Sequence, residues 1–444
     1  MDQSRSSGRQ EKESGEGFSS ISGFLMVTIG FAVGVGSIWR FPYMLGENGG
    51  ALFLIAYVVI IGVIGIPLLA AEISIGFKTQ KSAVLAYSEL APGKLWYVGG
   101  YVHLVAGLLI ISYTLPIYAW ILKYLCVMLA GGFAGMDAGQ VGDYFGAFTQ
   151  KHVQVLLFAL ANIAVNALII SGGVKKGIER LTKILLPVLG VIMLILIVAG
   201  LRLPGAGAGV LFLLQPDPSK FNTGALNAAL GQAFFAVGIA MLASMVFGSY
   251  IKNPKENIGK SASIICTALV CAGIMAGFMI FPVLFAAGLE PAAGPGLTFI
   301  ALPNAFNAIP FGGVLGVLFF LGFYIAAVTS SAGVAESVVG LFIDQFRMSR
   351  KKAIAVTVLI MAVVGALCIF SDAVFNTLDL VENNYLLTLG ALCIAIFVGW
   401  IWGADKFIEA TNVKSRFLRG WLKVCVKYVS PIVIIFIFVS GLIG

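Results

Sequence analysis

Eleven apolar stretches, each about 20 residues or longer, dominate the 444-residue sequence. A helix needs roughly 20 mostly apolar residues to cross the hydrocarbon core of a bilayer, so each stretch is a candidate span. Within the stretches, apolar and polar residues do not alternate as they do in the strands of a transmembrane β-barrel. The stretches cover residues 24–45, 51–76, 98–130, 153–171, 181–201, 225–250, 262–288, 312–343, 353–371, 384–402 and 424–443. The sequence therefore predicts an all-α polytopic membrane protein with eleven transmembrane helices. Such a protein has the lipid bilayer as a partner.

Composition excludes a soluble fold and argues against nucleic acid as a partner. Hydrophobic residues make up 59% of the chain and charged residues 11%, whereas soluble domains have about 45–50% apolar and about 25% charged residues. The net charge of +8 is spread over short loops and does not form one basic patch. No HExxH, GxSxG or phosphate-loop motif occurs, so the sequence does not predict an enzyme.

Lysine and arginine are distributed unequally on the two sides of the predicted spans. If the polar tail, residues 1–17, faces the cytoplasm, then all but five of the 28 basic residues lie in that tail or in loops on the same side. The five exceptions are Arg40, Lys123, Lys151, Arg202 and Lys220. The positive-inside rule therefore predicts a cytoplasmic N-terminus and, with eleven spans, an outward-facing C-terminus. The polar start predicts no cleavable signal peptide, and the lack of glycosylation sequons favours a prokaryotic inner membrane.

Glycine-rich interruptions occur at matching places in two spans. FAVGVG in the first span, residues 31–36, aligns with FAVGIA in the sixth, residues 235–240. Because the sixth span follows the first by five, the two run antiparallel, which predicts an inverted repeat of spans 1–5 and 6–10. Broken helices in such repeats form a binding site near the bilayer midplane. The alternative is that the glycines only allow close helix packing.

The predicted repeat divides the chain into four parts. Residues 1–17 form the cytoplasmic tail, and residues 18–201 form the first five-helix repeat. Residues 202–402 form the second, inverted repeat, and residues 403–444 form a loop and a peripheral eleventh helix.

Five segments resemble the signatures of the neurotransmitter:sodium symporter family, in its bacterial amino-acid-transporter branch. They are GVGSIWRFPYMLGENGGALF (34–53), GQAFF (231–235), GLEPAAGPG (288–296), TSS (329–331) and GADK (403–406). The resemblance covers nearly the whole chain. It implies ten core helices in two inverted repeats plus one peripheral helix, and it implies sodium-coupled transport of an amino acid by alternating access.

The resemblance implies a sodium site between spans one and eight, the second sodium site of the family. The positions that match its ligands are Gly30, Val33, Ala326, Thr329 and Ser330. These residues offer carbonyl and hydroxyl oxygens, which suit a hard cation. The alternative is that the two hydroxyl groups only bond carbonyls of their own helix.

The first sodium site of the family is incomplete in this sequence. The matching positions are Ala32, Ser37 and Ala236, and only Ser37 has a side-chain oxygen. The seventh span contributes no Asn, Asp, Gln or Glu between residues 262 and 285. We therefore predict that one sodium ion binds per transport cycle, at the second site.

A substrate pocket follows from the same resemblance. Gly34 stands where monoamine transporters of the family carry Asp, and the N–H groups of Val35 and Gly36 suit a carboxylate. The family tyrosine of span three falls at Thr114, with Tyr113 one residue away. The full predicted set is Gly34, Val35, Gly36, Ile110, Tyr113, Thr114, Phe235, Gly238, Met241, Ser330 and Val334. Its apolar character predicts a large apolar or aromatic amino acid as substrate.

Two further pairs match the gates of the family. Arg40 and Asp379 match the outer pair, and Tyr250 and Asp344 match positions of the inner gate. The inner-gate arginine is missing, because its position falls at Gly15.

Glu72 is an intramembrane acid, which by default indicates a functional role. The resemblance implies that Glu72 hydrogen-bonds the broken part of span six, and a proton relay is the alternative. For the protein as a whole, two alternatives to an amino-acid symporter stay open. One is a transport-incompetent sensor or accessory protein on the same fold, and the other is a transporter of a solute that is not an α-amino acid. The sequence predicts no oligomeric state.

Overall fold

Long apolar helices build the protein in the computed structural model, which describes residues 17–291 and 294–443. No β-strand occurs within these ranges, so the predicted all-α class is confirmed. The helices are α1 (Ile21–Ala32), α2 (Gly36–Glu47), α3 (Ala51–Thr79), α4 (Ala83–Leu90), α5 (Tyr97–Leu129), α6 (Ala138–Thr149), α7 (His152–Ser171), α8 (Val174–Leu201), α9 (Ala206–Leu214), α10 (Thr223–Val237), α11 (Ala243–Ser249), α12 (Ile258–Ala286), α13 (Leu302–Ala308), α14 (Gly312–Phe346), α15 (Arg350–Phe370), α16 (Asp372–Ile401), α17 (Ala404–Ala410), α18 (Arg416–Val424) and α19 (Ser430–Ile443).

Eight of the described helices are long and apolar enough to cross a membrane, or nine when the pair α1 and α2 counts as one span. That pair bends by 49° at its break. The other two predicted spans are also helical. Residues 225–250 fall in α10 and α11, which a break separates, and residues 424–443 fall in Cys425–Val429 and α19. Eleven spans therefore stay a prediction.

Apolar side chains cover the outer faces of the long helices. Leu157 and Leu168 on α7, Val191 on α8 and Leu359 on α15 are each between 56% and 74% exposed. Exposed apolar surface of this extent is costly in water and suits lipid tails. These faces of the protein therefore fit a bilayer.

Side-chain caps fix the starts of the two broken spans. The Oγ of Ser20 accepts a hydrogen bond from the N–H of Gly23 at 3.1 Å, where α1 begins. The Oδ1 of Asn222 accepts one from the N–H of Ala225 at 3.1 Å, where α10 begins. Each cap satisfies an N–H that has no partner in its own helix. Both helices thus begin at a polar cap and end at a break near the middle of the protein.

The break in span six contains three residues in the left-handed region. The φ angles are 73° at Gly238, 67° at Ala240 and 69° at Leu242. This conformation is easy for glycine but costs about 1–2 kcal/mol for a residue with a Cβ. Contacts with the surrounding helices must therefore hold Ala240 and Leu242 in place.

Two glycines bring α3 and α11 into backbone contact. Gly76 lies against the backbone of Met245, and Gly248 lies against the backbone of Ile73. A Cβ at either position would overlap a main-chain carbonyl group of the other helix. Small residues at a crossing are the usual way in which membrane helices approach this closely.

We expect Gly76→Ala to lower the thermal unfolding temperature of the protein in detergent. The added methyl group would force α3 and α11 apart, and overpacking of this kind costs roughly 1–3 kcal/mol. Gly62→Ala is the matched control, because Gly62 lies in the same helix and a Cβ there would meet no atom within 4 Å. Equal unfolding temperatures for the two variants would contradict the close approach of α3 and α11.

Candidate functional site

A small enclosed cavity lies where the breaks of the two broken spans meet α5 and α14. Its volume is about 30 Å³, room for only a water molecule or two. The residues that line it are Phe31, Ala32, Gly34, Val35, Gly36, Ile110, Ile111, Thr114, Tyr118, Phe235, Ala236, Met241, Ser330 and Val334. No charged side chain is among them.

Nine of the eleven predicted substrate residues line this cavity, and Gly238 and Tyr113 do not. Gly238 is covered by the ring of Phe31, which occupies the space that a Cβ at this position would need. Tyr113 points elsewhere, since its hydroxyl oxygen accepts a hydrogen bond from the Nδ2 of Asn383 at 3.2 Å. The predicted set is therefore largely brought together, with Tyr113 assigned to a neighbouring network.

Sequence reasoning missed three lining residues, which are Phe31, Ile111 and Tyr118. Tyr118 follows Thr114 by one helical turn on α5, so the two hydroxyl groups lie on the same helix face. The hydroxyl of Thr114 itself donates to the carbonyl oxygen of Ile110. The spacing of four residues was the signal that could have identified Tyr118.

Gly34 lies in direct contact with α14. A Cβ at Gly34 would lie 2.6 Å from the Oγ of Ser330 and 2.7 Å from its Cβ. The break of span one therefore touches α14 through bare backbone, and a side chain at position 34 would displace Ser330.

Gly30 faces Thr329 at the predicted second sodium site. A Cβ on Gly30 would lie 2.5 Å from the Cγ2 of Thr182 and 3.6 Å from the Cβ of Thr329. The Oγ1 of Thr329 lies 3.1 Å from the carbonyl oxygen of Ile325 and 3.2 Å from that of Ala326. Val33 stands at the end of α1, where helix carbonyls lack partners in their own helix. The hydroxyl hydrogen of Thr329 thus points along its own helix, and its lone pairs can still accept a cation.

The predicted ligands at this position are neutral carbonyl and hydroxyl oxygens. The described part of the chain contains no group of three or more His, Cys, Asp or Glu side chains that could hold a metal ion. Carbonyl and hydroxyl oxygens suit a hard cation of low charge better than a transition metal. The donor set therefore fits sodium.

Among the predicted residues of the first sodium site, only Ser37 has a side-chain oxygen. The Oγ of Ser37 donates to the carbonyl oxygen of Ala32 at 3.3 Å. Ala32 and Ala236 both line the cavity, and Ala236 contributes only a methyl group. The nearby carbonyl of Gly36 accepts a hydrogen bond from the Nε2 of Gln232 at 2.9 Å. The carbonyl oxygens of Ala32 and Gly36 therefore each already accept a hydrogen bond.

Asn383 lies between the two members of the predicted outer gate. The Nη1 of Arg40 donates to the Oδ1 of Asn383 at 3.1 Å. The Nδ2 of Asn383 donates in turn to the Oδ1 of Asp379 at 2.9 Å. The guanidinium carbon of Arg40 also lies 4.8 Å from the ring centroid of Phe235. Phe235 lines the small cavity, whereas Arg40 and Asn383 line a second cavity of about 280 Å³.

Each predicted inner-gate residue accepts a hydrogen bond from a backbone N–H group of another segment. The Oδ2 of Asp344 accepts a hydrogen bond from the N–H of Ser82 at 2.9 Å. The carbonyl oxygen of Tyr250 accepts one from the N–H of Phe18 at 3.2 Å. Gly15 and the rest of the tail up to residue 16 lie outside the described residues.

Glu72 contacts the break in span six. Its side chain is 1% exposed, and its Oε1 accepts a hydrogen bond from the N–H of Ala240 at 2.8 Å. This contact ties α3 to one of the strained residues of the break.

Comparison of the sequence with known families gives one match over nearly the whole chain. Residues 15–136 and 147–444 match the sequence model of the Sodium:neurotransmitter symporter family. An uncharacterized sodium-dependent transporter of Bacillus subtilis, YhdH, is 32% identical over 95% of this chain and 96% of its own length. Another from Methanocaldococcus jannaschii, MJ1319, is 32% identical over 94% of this chain and 89% of its own length. The human sodium- and chloride-dependent creatine transporter 1 is 27% identical over 95% of this chain and 76% of its own length.

A solved structure shares the fold. The crystal structure of MhsT in complex with L-phenylalanine superposes with a TM-score of 0.89 and 36% sequence identity. The match covers 96% of this chain and 99% of that one.

Proposed function

Because the chain belongs to the sodium:neurotransmitter symporter family, we propose that it carries an amino acid across the membrane together with one sodium ion. It is a multi-pass membrane transporter of the secondary type and not an enzyme. The observation that carries the proposal is the cavity between the two broken spans, which Ser330 lines directly after Thr329 in the chain. Substrate and sodium would favour closure of the outer gate by binding one conformation more tightly than the other.

The proposed topology is eleven spans in two inverted repeats, residues 18–201 and 202–402, followed by a peripheral helix. Support comes from the two matching segments, since residues of both FAVGVG and FAVGIA line the same cavity. The caps at Ser20 and Asn222 add to it, because each broken span begins in the same way. In this topology the N-terminus faces the cytoplasm of a prokaryotic cell and the C-terminus faces outward.

The proposed ion site uses Gly30, Val33, Ala326, Thr329 and Ser330. Support comes from the facing positions of Gly30 and Thr329 and from the neutral oxygen set around them. The first site is proposed to stay without sodium, because Ala236 offers no side-chain oxygen and the hydroxyl of Ser37 already bonds the carbonyl of Ala32.

The proposed substrate is an amino acid with an apolar or aromatic side chain. Ile110, Met241 and Val334 offer apolar surface in a cavity without charged side chains, which suits such a group. The volume of about 30 Å³ requires these side chains to move when a substrate enters, and an unbranched Met adapts easily. The phenylalanine bound to MhsT supports this class of substrate.

Uptake of radiolabelled L-phenylalanine into proteoliposomes tests the proposal. We expect uptake under an inward sodium gradient and none when choline replaces sodium, with a Hill coefficient for sodium of about 1. A coefficient near 2 would contradict the single-sodium part. Sodium-dependent binding without uptake or counterflow of any standard amino acid would favour a sensor or accessory protein.

A further inference from the structure

His103 is a buried histidine that contacts the break in span six. It lies within α5 and is 0% exposed. Its Nδ1 lies 3.1 Å from the carbonyl oxygen of Ala240, and its Nε2 lies 2.9 Å from the hydroxyl oxygen of Tyr87 on α4. No motif in the sequence singles out this residue, and none of the proposed binding steps uses it.

The chemistry of these contacts determines where the hydrogens lie. A carbonyl oxygen can only accept, so the Nδ1 of His103 carries the hydrogen and donates it to Ala240. The Nε2 of a neutral imidazole is then an acceptor, and the hydroxyl of Tyr87 donates to it. A neutral side chain therefore satisfies both contacts, which a fully buried position requires because an unpaired charge there would be costly.

Ala240 is held from two sides by these interactions. Glu72 on α3 accepts from its N–H at 2.8 Å, and His103 on α5 donates to its carbonyl. The φ of 67° at Ala240 is unfavourable for a residue with a Cβ. Two side chains from two helices thus stabilise a backbone conformation that the local sequence does not favour.

A third helix, α16, also contacts Ala240. Gly390 on α16 faces the methyl group of Ala240, and a Cβ at Gly390 would overlap that methyl group and lie 3.5 Å from the Cε1 of His103. The rings of His103 and Tyr87 stack with centroids 5.8 Å apart. Ala240 therefore has no room to shift toward α16 while the imidazole is in place.

We propose that His103 is a positioning residue that holds the break of span six and, through it, the place of Met241 in the substrate cavity. Met241 follows Ala240 directly in the chain and lines the cavity. The imidazole does not line the cavity, so its effect on substrate binding passes through the backbone. The effect on substrate rests on the proposed function, whereas the effect on the backbone does not.

Two variants of His103 separate the effect of losing the hydrogen bond to Ala240 from the effect of losing the imidazole ring. His103→Leu removes both hydrogen bonds, whereas His103→Asn keeps an N–H near the position of Nδ1. His152→Leu is the control, since His152 is the other histidine of the chain and lies at the start of α7, outside the cavity. Gly390→Ala is an independent variant that presses on Ala240 and leaves the hydrogen-bonding groups of His103 unchanged.

The first measurement is amide hydrogen exchange of the purified protein without ligand. We expect peptides that contain residues 238–242 to exchange faster in His103→Leu and Gly390→Ala than in the wild type. His103→Asn and the His152 control should match the wild type, and peptides from α15 should not change in any variant. Unchanged exchange of residues 238–242 in both His103→Leu and Gly390→Ala would overturn the proposal.

The second measurement is sodium-dependent binding of L-phenylalanine. We expect the Kd to rise about tenfold in His103→Leu and to stay within about threefold in His103→Asn. Equal weakening in the two His103 variants would overturn the proposal, because the hydrogen bond to Ala240 would then not matter. If the wild type binds no phenylalanine, the proposed substrate fails, and the exchange measurement alone decides the role of His103.

Discussion

Thr329→Val should raise the sodium concentration for half-maximal transport by at least about tenfold and leave the folded protein intact. Valine keeps the shape of the side chain but removes the hydroxyl oxygen, which is the proposed sodium ligand. A buried cation site cannot replace the lost oxygen with bulk water, and a tenfold change corresponds to about 1.4 kcal/mol. The measurement is phenylalanine uptake into proteoliposomes over a series of sodium concentrations.

Thr357→Val is the matched control for this variant. Thr357 lies on α15, is fully buried, and donates from its Oγ1 to the carbonyl oxygen of Ala353 at 2.9 Å. Both substitutions therefore remove one buried threonine hydroxyl that bonds its own helix, and only one of them touches the proposed ion site. An equal sodium response in the two variants would contradict the site between α1 and α14.

Gly34→Ala should weaken sodium-dependent binding of L-phenylalanine by about tenfold or more. The new methyl group would lie 2.6 Å from the Oγ of Ser330, so Ser330 or the break of span one must move. The displaced residues line the substrate cavity, and Ser330 also belongs to the proposed ion site. The measurement is equilibrium binding of phenylalanine to purified protein at saturating and at limiting sodium.

The control for Gly34 is Gly190→Ala on α8. Gly190 also lies inside an apolar span, and a Cβ there would meet no atom within 4 Å. Its substitution should leave phenylalanine binding unchanged within about threefold. If Gly34→Ala binds as well as Gly190→Ala does, the cavity is not the substrate site.

Positions on the backbone of the two breaks were predictable from the sequence because their residue types are unusual there. Gly34 and Gly36 interrupt an apolar run, the matching glycine in the sixth span favours a helix break there, and the family resemblance placed Gly34, Val35 and Gly36 in the substrate pocket. All three line the cavity. The cavity-lining residues were therefore predictable where the backbone of a helix break forms the site.

Residues that reach the site from a regular helix were harder to predict. Tyr118 and Ile111 lie on α5, where an apolar or aromatic side chain is equally compatible with core packing. Asn383 joins Arg40 to Asp379, although Arg40 and Asn383 are 343 residues apart in the sequence. His103 was equally hard to predict, since its partner Tyr87 comes from α4 and its partner Ala240 from the break of span six. Only the tertiary arrangement brings such groups together.

The contact between α3 and α11 has a consequence for movement within the protein. Gly76 and Gly248 leave no gap between the two backbones, and a dense contact of this kind transmits displacement with little loss. The second span and the inner half of the sixth should therefore travel as one rigid unit during the transport cycle.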